Sequence, residues 1–68
     1  MMDDLVRGVE AALFAAEEPL TAEELSAHLG GADVREALRE LEEHYRERGV
    51  RLVERARRWQ FQTAPDLA

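Results

Sequence analysis

The sequence contains no cysteine and no apolar run that approaches the length of a membrane span. The missing cysteines exclude disulfide bonds and thiolate metal sites, and the missing apolar run argues against a transmembrane helix. No glycine-rich phosphate loop follows a strand, and no metal-binding spacing joins the two histidines. The acidic Met-Met-Asp-Asp start is unlike a signal peptide, and because there is no disulfide framework we expect a cytoplasmic protein.

The 68 residues suffice for one small domain, and 46% of them are hydrophobic and 35% charged. That composition is typical of a soluble globular domain and not of a disordered chain. A chain of this size buries only about 60% of its unfolded surface, so its stability is marginal. Because disulfides and thiolate metal sites are excluded, association with a partner chain is the support we expect.

The net charge of −6 is unevenly distributed. Residues 1–33 hold eight acidic residues and one arginine, a net of −7, whereas residues 34–68 hold seven acidic residues and eight arginines, a net of +1. An acidic surface repels the phosphate backbone that supplies most nonspecific affinity for DNA. We therefore expect no strong direct DNA binding from the domain as a whole.

Hydrophobic periodicity predicts two short helices joined by a tight turn in the first half of the chain. The first helix spans about Asp3 to Ala16, and Pro19 sets its end because proline disfavours helix at the residue before it. The second helix spans about Ala22 to Leu29. Thr21 and Glu24 have the spacing of a capping box at its start.

A third helix is predicted from Val34 to Arg48, where apolar residues repeat at intervals of three and four. Asp33 and Glu36 have the spacing of a second capping box. The pair Gly30-Gly31 ends the preceding helix through a left-handed position.

From Val50 the hydrophobic period changes to two, which predicts a β-hairpin. A turn centred on Ala56-Arg57 places Leu52 opposite Phe61 and Val50 opposite Thr63, so that the apolar residues share one face. The turn has no glycine, asparagine or aspartate, and we therefore predict a longer type I loop instead of a tight primed turn.

Three helices followed by a two-stranded wing define an α+β winged helix-turn-helix domain, which we assign to residues 1–63. Residues 64–68 are interpreted as a linker or as the truncated start of a second winged helix.

Few residues are candidates for catalysis. His44 lies among glutamates on the third helix, a pattern more typical of a solvated face than of a metal or proton site. His28 suits the negative end of the second helix. We predict no enzyme activity, no cofactor and no metal.

The third helix carries five glutamates beside four arginines, which makes it a poor reader of a DNA groove. The hairpin differs, because four arginines fall between residues 51 and 58. A basic wing tip suits a DNA backbone or an acidic patch on a partner, or serves only to keep the hairpin soluble. The alternative function is therefore a DNA-binding winged-helix transcriptional regulator.

Phe14 lies off the apolar stripe of the first helix, where it is either a second core contact to the hairpin or an exposed anchor for another chain. Trp59 and Phe61 alternate with glutamines and are expected to form the core face of the hairpin instead of stacking platforms. The candidate partner or dimer contacts are Phe14, Val6, Arg57 and Arg58.

These elements resemble the N-terminal winged-helix domain of the segregation and condensation protein B (ScpB) family. The resemblance lies in ALFAAEEPLTAEELSAHLG (residues 12–30), Val34, Ala37-Leu38, Leu41, Tyr45, Arg48-Gly49-Val50, Leu52-Val53-Glu54 and Gln62-Thr63-Ala64-Pro65. The order is collinear over nearly the whole chain. At the hairpin tip the family usually has glycines, whereas this chain has Arg57 and Arg58.

The resemblance implies a non-enzymatic scaffold subunit of the bacterial SMC condensin complex, with a role in chromosome condensation and segregation. It also implies a homodimer that binds the kleisin subunit ScpA and, through it, the SMC ATPase. The expected location is the cytoplasm, in association with the nucleoid, with no membrane partner.

Overall fold

A computed structural model describes residues 4–67. Three helices precede the hairpin: α1 (Asp4–Ala15), α2 (Ala22–His28) and α3 (Arg35–His44). The strands are β1 (Leu20–Thr21), β2 (Val50–Arg55) and β3 (Arg58–Thr63), in the spatial order β1-β3-β2, and a 3₁₀ turn follows at Pro65–Leu67. The predicted winged-helix architecture is therefore confirmed, with one short strand added to the two-stranded wing.

The core forms where the helices cover one face of the sheet. Its residues are Val6, Val9, Leu13, Leu25, Val34, Ala37, Leu38, Leu41, Leu52 and Trp59. Trp59 is 9% exposed, so its predicted place in the core is confirmed, and Phe61 packs against this core while partly exposed. All three helices and both strands of the hairpin contribute to one contiguous cluster, and Leu20 of β1 packs against it.

The capping box at the start of α2 is present as predicted. The Thr21 hydroxyl accepts from the Glu24 N–H at 3.1 Å, and the Glu24 carboxylate accepts from the Thr21 N–H at 2.8 Å. That backbone hydrogen bond is the main cause of a lowered Glu24 pKa. Both Gly30 and Gly31 have positive φ, 73° and 85°, which ends α2 in the left-handed manner that was expected.

Thr21 also belongs to β1, which was not predicted. Leu20 pairs with Trp59 and Thr21 with Arg58, so two residues between α1 and α2 extend the hairpin into a three-stranded sheet. A strand of two residues is too short to show a hydrophobic period of two in the sequence. It forms because the tight α1–α2 turn holds this segment beside β3.

The ends of α3 differ from the prediction. The capping box at Asp33 is wrong, because Val34 occupies the cap without a side-chain hydrogen bond. Asp33 instead accepts from the backbone and the guanidinium of Arg35 at 3.1, 3.0 and 2.7 Å. Those hydrogen bonds, the side-chain one first, hold the pKa of Asp33 down to about 2.

The helix also ends at His44 and not at Arg48. The Tyr45 N–H still donates to the Leu41 carbonyl four residues earlier, at 3.0 Å, but the next bonds join residues three apart: the Arg46 N–H donates to the Glu43 carbonyl and the Arg48 N–H to the Tyr45 carbonyl, each at 3.2 Å. Bonds of this kind tighten the last turn of a helix. They redirect the chain toward β2, which begins at Val50.

The hairpin register is confirmed, since Leu52 pairs with Phe61 and Val50 with Thr63. The predicted turn type is wrong. The strands are joined by Ala56 and Arg57 alone, with φ of 51° and 67°, which is the pattern of a type I′ turn. The twist that the flanking strands demand outweighs the residue preference, although left-handed backbone costs a non-glycine residue about 1–2 kcal/mol.

Replacing Arg57 with glycine should therefore raise the free energy of unfolding by about 0.5–1 kcal/mol, the relieved strain exceeding the added chain entropy. The measurement is urea unfolding followed by circular dichroism. The reverse change at a matched position, Gly31→Ala at φ 85°, should lower stability by a similar amount. A destabilised Arg57→Gly variant would show that the left-handed tip is not strained.

Candidate partner-binding surface

Three of the four aromatic side chains meet on one side of the domain. We call Phe14, Tyr45 and Phe61 the aromatic cluster. Phe14 stacks on Phe61 with ring centroids 4.2 Å apart and planes 13° apart, and Tyr45 meets Phe61 edge-on at 4.9 Å. Phe14 and Tyr45 are also edge-on, at 6.3 Å. The cluster joins α1, the residue that follows α3, and β3 through contacts between the three rings.

Phe14 has both of the properties that were posed as alternatives. It contacts the hairpin through Phe61, and it remains 56% exposed. Its position on α1 explains the exposure, because Asp4, Arg7 and Ala11 lie at helical spacing from it and are exposed too. The cluster therefore presents to solvent an apolar ring that is stacked on a neighbour on one side, an arrangement that is typical of a partner contact.

Tyr45 is held in place by a hydrogen bond from its hydroxyl to the Glu10 carboxylate of α1. That bond raises the pKa of Tyr45, with smaller contributions from desolvation and from the Glu10 charge. The guanidinium of Arg48 lies 5.6 Å from the centre of the Tyr45 ring. Tyr45 is thus positioned from two sides, by a carboxylate on α1 and by a cation that follows α3.

Because Tyr45 is the only tyrosine, its ionisation can be followed by absorbance at 295 nm. We expect the midpoint to lie above the ordinary value of 10.0 and to move toward that value in Glu10→Gln. A folded-state pKa above the unfolded one means that this contribution to stability is complete below pH 10 and is lost as the pH rises through the folded pKa. A Glu10→Gln midpoint equal to that of the parent chain would contradict the assignment.

The structure removes Val6 from the accessible candidate contacts. Val6 is 2% exposed and belongs to the core with Val9 and Leu13. The spacing of these three residues places Val6 on the buried stripe of α1. A partner cannot reach it while the domain is folded.

Arg57 and Arg58 lie at the tip of the hairpin, and both are exposed. Arg58 is tied to the first half of the chain, since its guanidinium lies 3.5 Å from the Glu24 carboxylate and donates to the Pro19 carbonyl at 3.4 Å. Arg57 occupies the second position of the turn, lines the groove between the hairpin tip and α3, and has no ion pair among residues 4–67. The side chain of Arg58 is therefore held by an ion pair and a hydrogen bond, whereas that of Arg57 has no ion pair in the part of the chain that the structure describes.

A groove of about 470 Å³ lies between α3 and the hairpin tip, where a winged helix would approach a DNA groove. Its charged lining is balanced, with three arginines and three glutamates. They are Arg35, Arg39, Arg57, Glu23, Glu42 and Glu54. Equal numbers of opposite charges give no net attraction for phosphate, so this groove does not favour a DNA reader.

Within residues 4–67, no group of three or more histidine, aspartate or glutamate side chains is arranged to hold a metal ion. His28 and His44 are both exposed. Over the same residues, none of the helices has the length and apolar character needed to cross a bilayer.

Sequence reasoning singled out Phe14 but missed the other members of its surroundings. Glu10 and Tyr45 are 35 residues apart, and nothing in the local pattern links them. Phe61 was assigned to the hairpin core, and its stacking on Phe14 needed the three-dimensional arrangement. The only signal in the sequence was a large aromatic residue out of phase with its helix.

Two known proteins resemble this chain. A segregation and condensation protein B homolog from Coxiella burnetii (strain RSA 493 / Nine Mile phase I) is 44% identical over 66 residues, which covers 88% of this chain and 32% of the relative. The crystal structure of a conserved hypothetical protein from Chlorobium tepidum matches with a TM-score of 0.78 and 30% identity, over 93% of this chain and 43% of that chain. The chain thus spans less than half the length of either.

The family comparison covers almost the entire sequence. The model of the segregation and condensation complex subunit ScpB matches residues 7–68. The match includes the capping box of α2, the whole of α3 and the complete hairpin. The chain therefore belongs to the ScpB family of segregation and condensation complex subunits.

Proposed function

We propose that this chain is a scaffold domain of a bacterial SMC condensin complex, where it homodimerises and binds the kleisin subunit ScpA and, through it, the SMC ATPase. Its role is assembly for chromosome condensation and segregation, in the cytoplasm and close to the nucleoid, and the proposal gives it no catalytic step. The observation that carries it is the half-exposed Phe14 of the aromatic cluster.

Two physical arguments support an assembly role for this surface. Aromatic side chains are enriched in the buried centres of protein interfaces, and a ring already fixed by its neighbours loses little conformational entropy on binding. The domain itself is small enough that burying further apolar surface against a partner would stabilise it. Phe14 is one of only two large hydrophobic side chains that are exposed among residues 4–67, the other being Leu67.

The alternative, a DNA-binding regulator, receives less support. The groove beside α3 is balanced in charge, and the chain as a whole is acidic. A regulator would bind its site with a dissociation constant of about 10⁻⁸–10⁻¹¹ M at physiological salt. A gel shift that revealed such affinity, weakening steeply with salt, would favour the regulator over the scaffold.

The oligomeric state tests the first part of the proposal. Light scattering and sedimentation velocity over a range of concentrations should show a species of twice the monomer mass of 7.7 kDa. A strict monomer at millimolar concentration would contradict homodimerisation. Calorimetric titration with the kleisin subunit tests the second part separately, since a dimer that gives no heat with the kleisin would refute kleisin binding alone.

A further inference from the structure

The outer face of the sheet concentrates positive charge. Because successive residues of a strand point to opposite faces, Arg51 and Arg55 of β2 lie on the face opposite to the buried Leu52. The register places Arg58 directly across from Arg55, on the same outer face. With Arg57 at the turn, four exposed arginines form what we call the arginine face: Arg51, Arg55, Arg57 and Arg58.

Ion pairs neutralise little of this charge among residues 4–67, although Glu42 and Glu43 line a groove together with Arg51. Residues 50–63 contain four arginines and the single acid Glu54, a net of +3, which leaves −9 for the rest of a chain whose total is −6. Glu54 pairs with Trp59 and so lies on the inner face. Arg58 has an ion pair with Glu24 at 3.5 Å, whereas Arg51, Arg55 and Arg57 have no ion pair among residues 4–67.

Two features of the arginine face oppose the stability of the hairpin. Arg55 and Arg58 are like charges in directly paired positions, an arrangement that is unfavourable across two strands. Ala56 and Arg57 hold left-handed backbone at the tip, which non-glycine residues disfavour. A bound anion would offset the repulsion between Arg55 and Arg58, because it is attracted to both guanidinium groups.

We propose that the arginine face binds the phosphate backbone of a nucleic acid, weakly and without reading bases. The rest of the face decides between this ligand and an acidic protein. Its other members are Gln60 and Gln62, with Val53 as the one apolar residue, and all three are half-buried. Arginine and glutamine donate to phosphate oxygens, whereas a protein interface needs an apolar or aromatic centre, which this face lacks.

The acidic remainder of the molecule limits this binding to one face and keeps it weak. Affinity should lie in the nonspecific range, about 10⁻⁴–10⁻⁶ M. This site is distinct from the aromatic cluster, so it neither requires nor excludes the proposed homodimer.

The test is fluorescence anisotropy of a labelled 20-base-pair duplex of arbitrary sequence, titrated with the full chain at 50–200 mM salt. Each phosphate contact contributes about −0.9 to the slope of log K against log salt, so the four arginines predict a slope of about −3 to −4. The triple variant Arg51→Gln, Arg55→Gln, Arg57→Gln should bind at least about tenfold more weakly, with a slope near −1.

A matched control removes the same charge elsewhere, at Arg7, Arg39 and Arg46, each replaced by glutamine. This control should bind the duplex within about twofold of the parent chain, since Arg7 and Arg39 lie on α1 and α3, Arg46 follows α3, and none of the three belongs to the hairpin. Equal losses in the two triple variants would overturn the proposal, as would the absence of duplex binding at 50 mM salt. If polyglutamate binds more tightly than the duplex, and only the hairpin variant loses that binding, the ligand of the arginine face is an acidic protein instead. Circular dichroism and light scattering on every variant separate these outcomes from unfolding and from loss of the dimer.

Discussion

Replacing Leu41 with alanine should leave most of the chain unfolded at 25 °C. Leu41 is fully buried, at 0% exposure, in the core formed by the helices and the sheet. A leucine-to-alanine change at such a site costs about 2–5 kcal/mol, because transfer energy is lost and a cavity remains. A single core in a domain of this size supplies only about 3–5 kcal/mol in total, so one truncation is comparable to the whole stability.

Urea unfolding monitored by circular dichroism measures this loss, and Leu67→Ala is the control. Leu67 is 62% exposed, so its truncation should change stability by less than about 0.5 kcal/mol. Because a dimer is more stable at higher concentration, each variant should be measured at two protein concentrations. A cost below about 1 kcal/mol for Leu41→Ala would mean that the site collapses around the missing methyl groups.

The parts of the fold that the sequence predicted are those where one short-range signal dominates. Apolar spacing identified the helices, and the change to a period of two identified the hairpin and its register. The capping box at Thr21 is confirmed, and it was predictable because both of its hydrogen bonds join residues within one four-residue segment. The start of the predicted first helix at Asp3 lies outside the described residues.

The errors occur where distant elements set the local geometry. The twist of β2 and β3 imposed a type I′ turn on Ala56-Arg57, against residue preference. The helix α3 ends at His44 because the chain must then turn toward β2. The apolar spacing within the helix does not indicate that turn. Val6, a candidate contact in the sequence analysis, lies on the buried stripe of α1 with Val9 and Leu13, a position that its helical spacing from these two residues already indicates.

The most direct consequence of the proposed assembly surface concerns Phe14. Replacing it with aspartate should weaken the proposed homodimer at least about thirtyfold, the equivalent of about 2 kcal/mol for an anchor at the centre of an interface. In a two-fold symmetric dimer the substitution changes both copies of the residue. If the interface buries both rings, the loss of binding free energy is therefore doubled. Sedimentation velocity across a concentration series gives the dissociation constant directly.

The same variant should stay folded, because Phe14 is half-exposed and contributes to the monomer mainly by its stacking on Phe61. Losing one such aromatic pair costs about 0.5–1.5 kcal/mol, less than the truncation of Leu41.

Ala27→Asp on α2 adds the same negative charge at another exposed site and should leave the dimer intact. Phe14→Leu keeps an apolar side chain and should retain most of the affinity. Wild-type dimerisation by a folded Phe14→Asp chain would place the interface elsewhere on the domain, whereas loss of the dimer in that variant alone would assign the aromatic cluster to it.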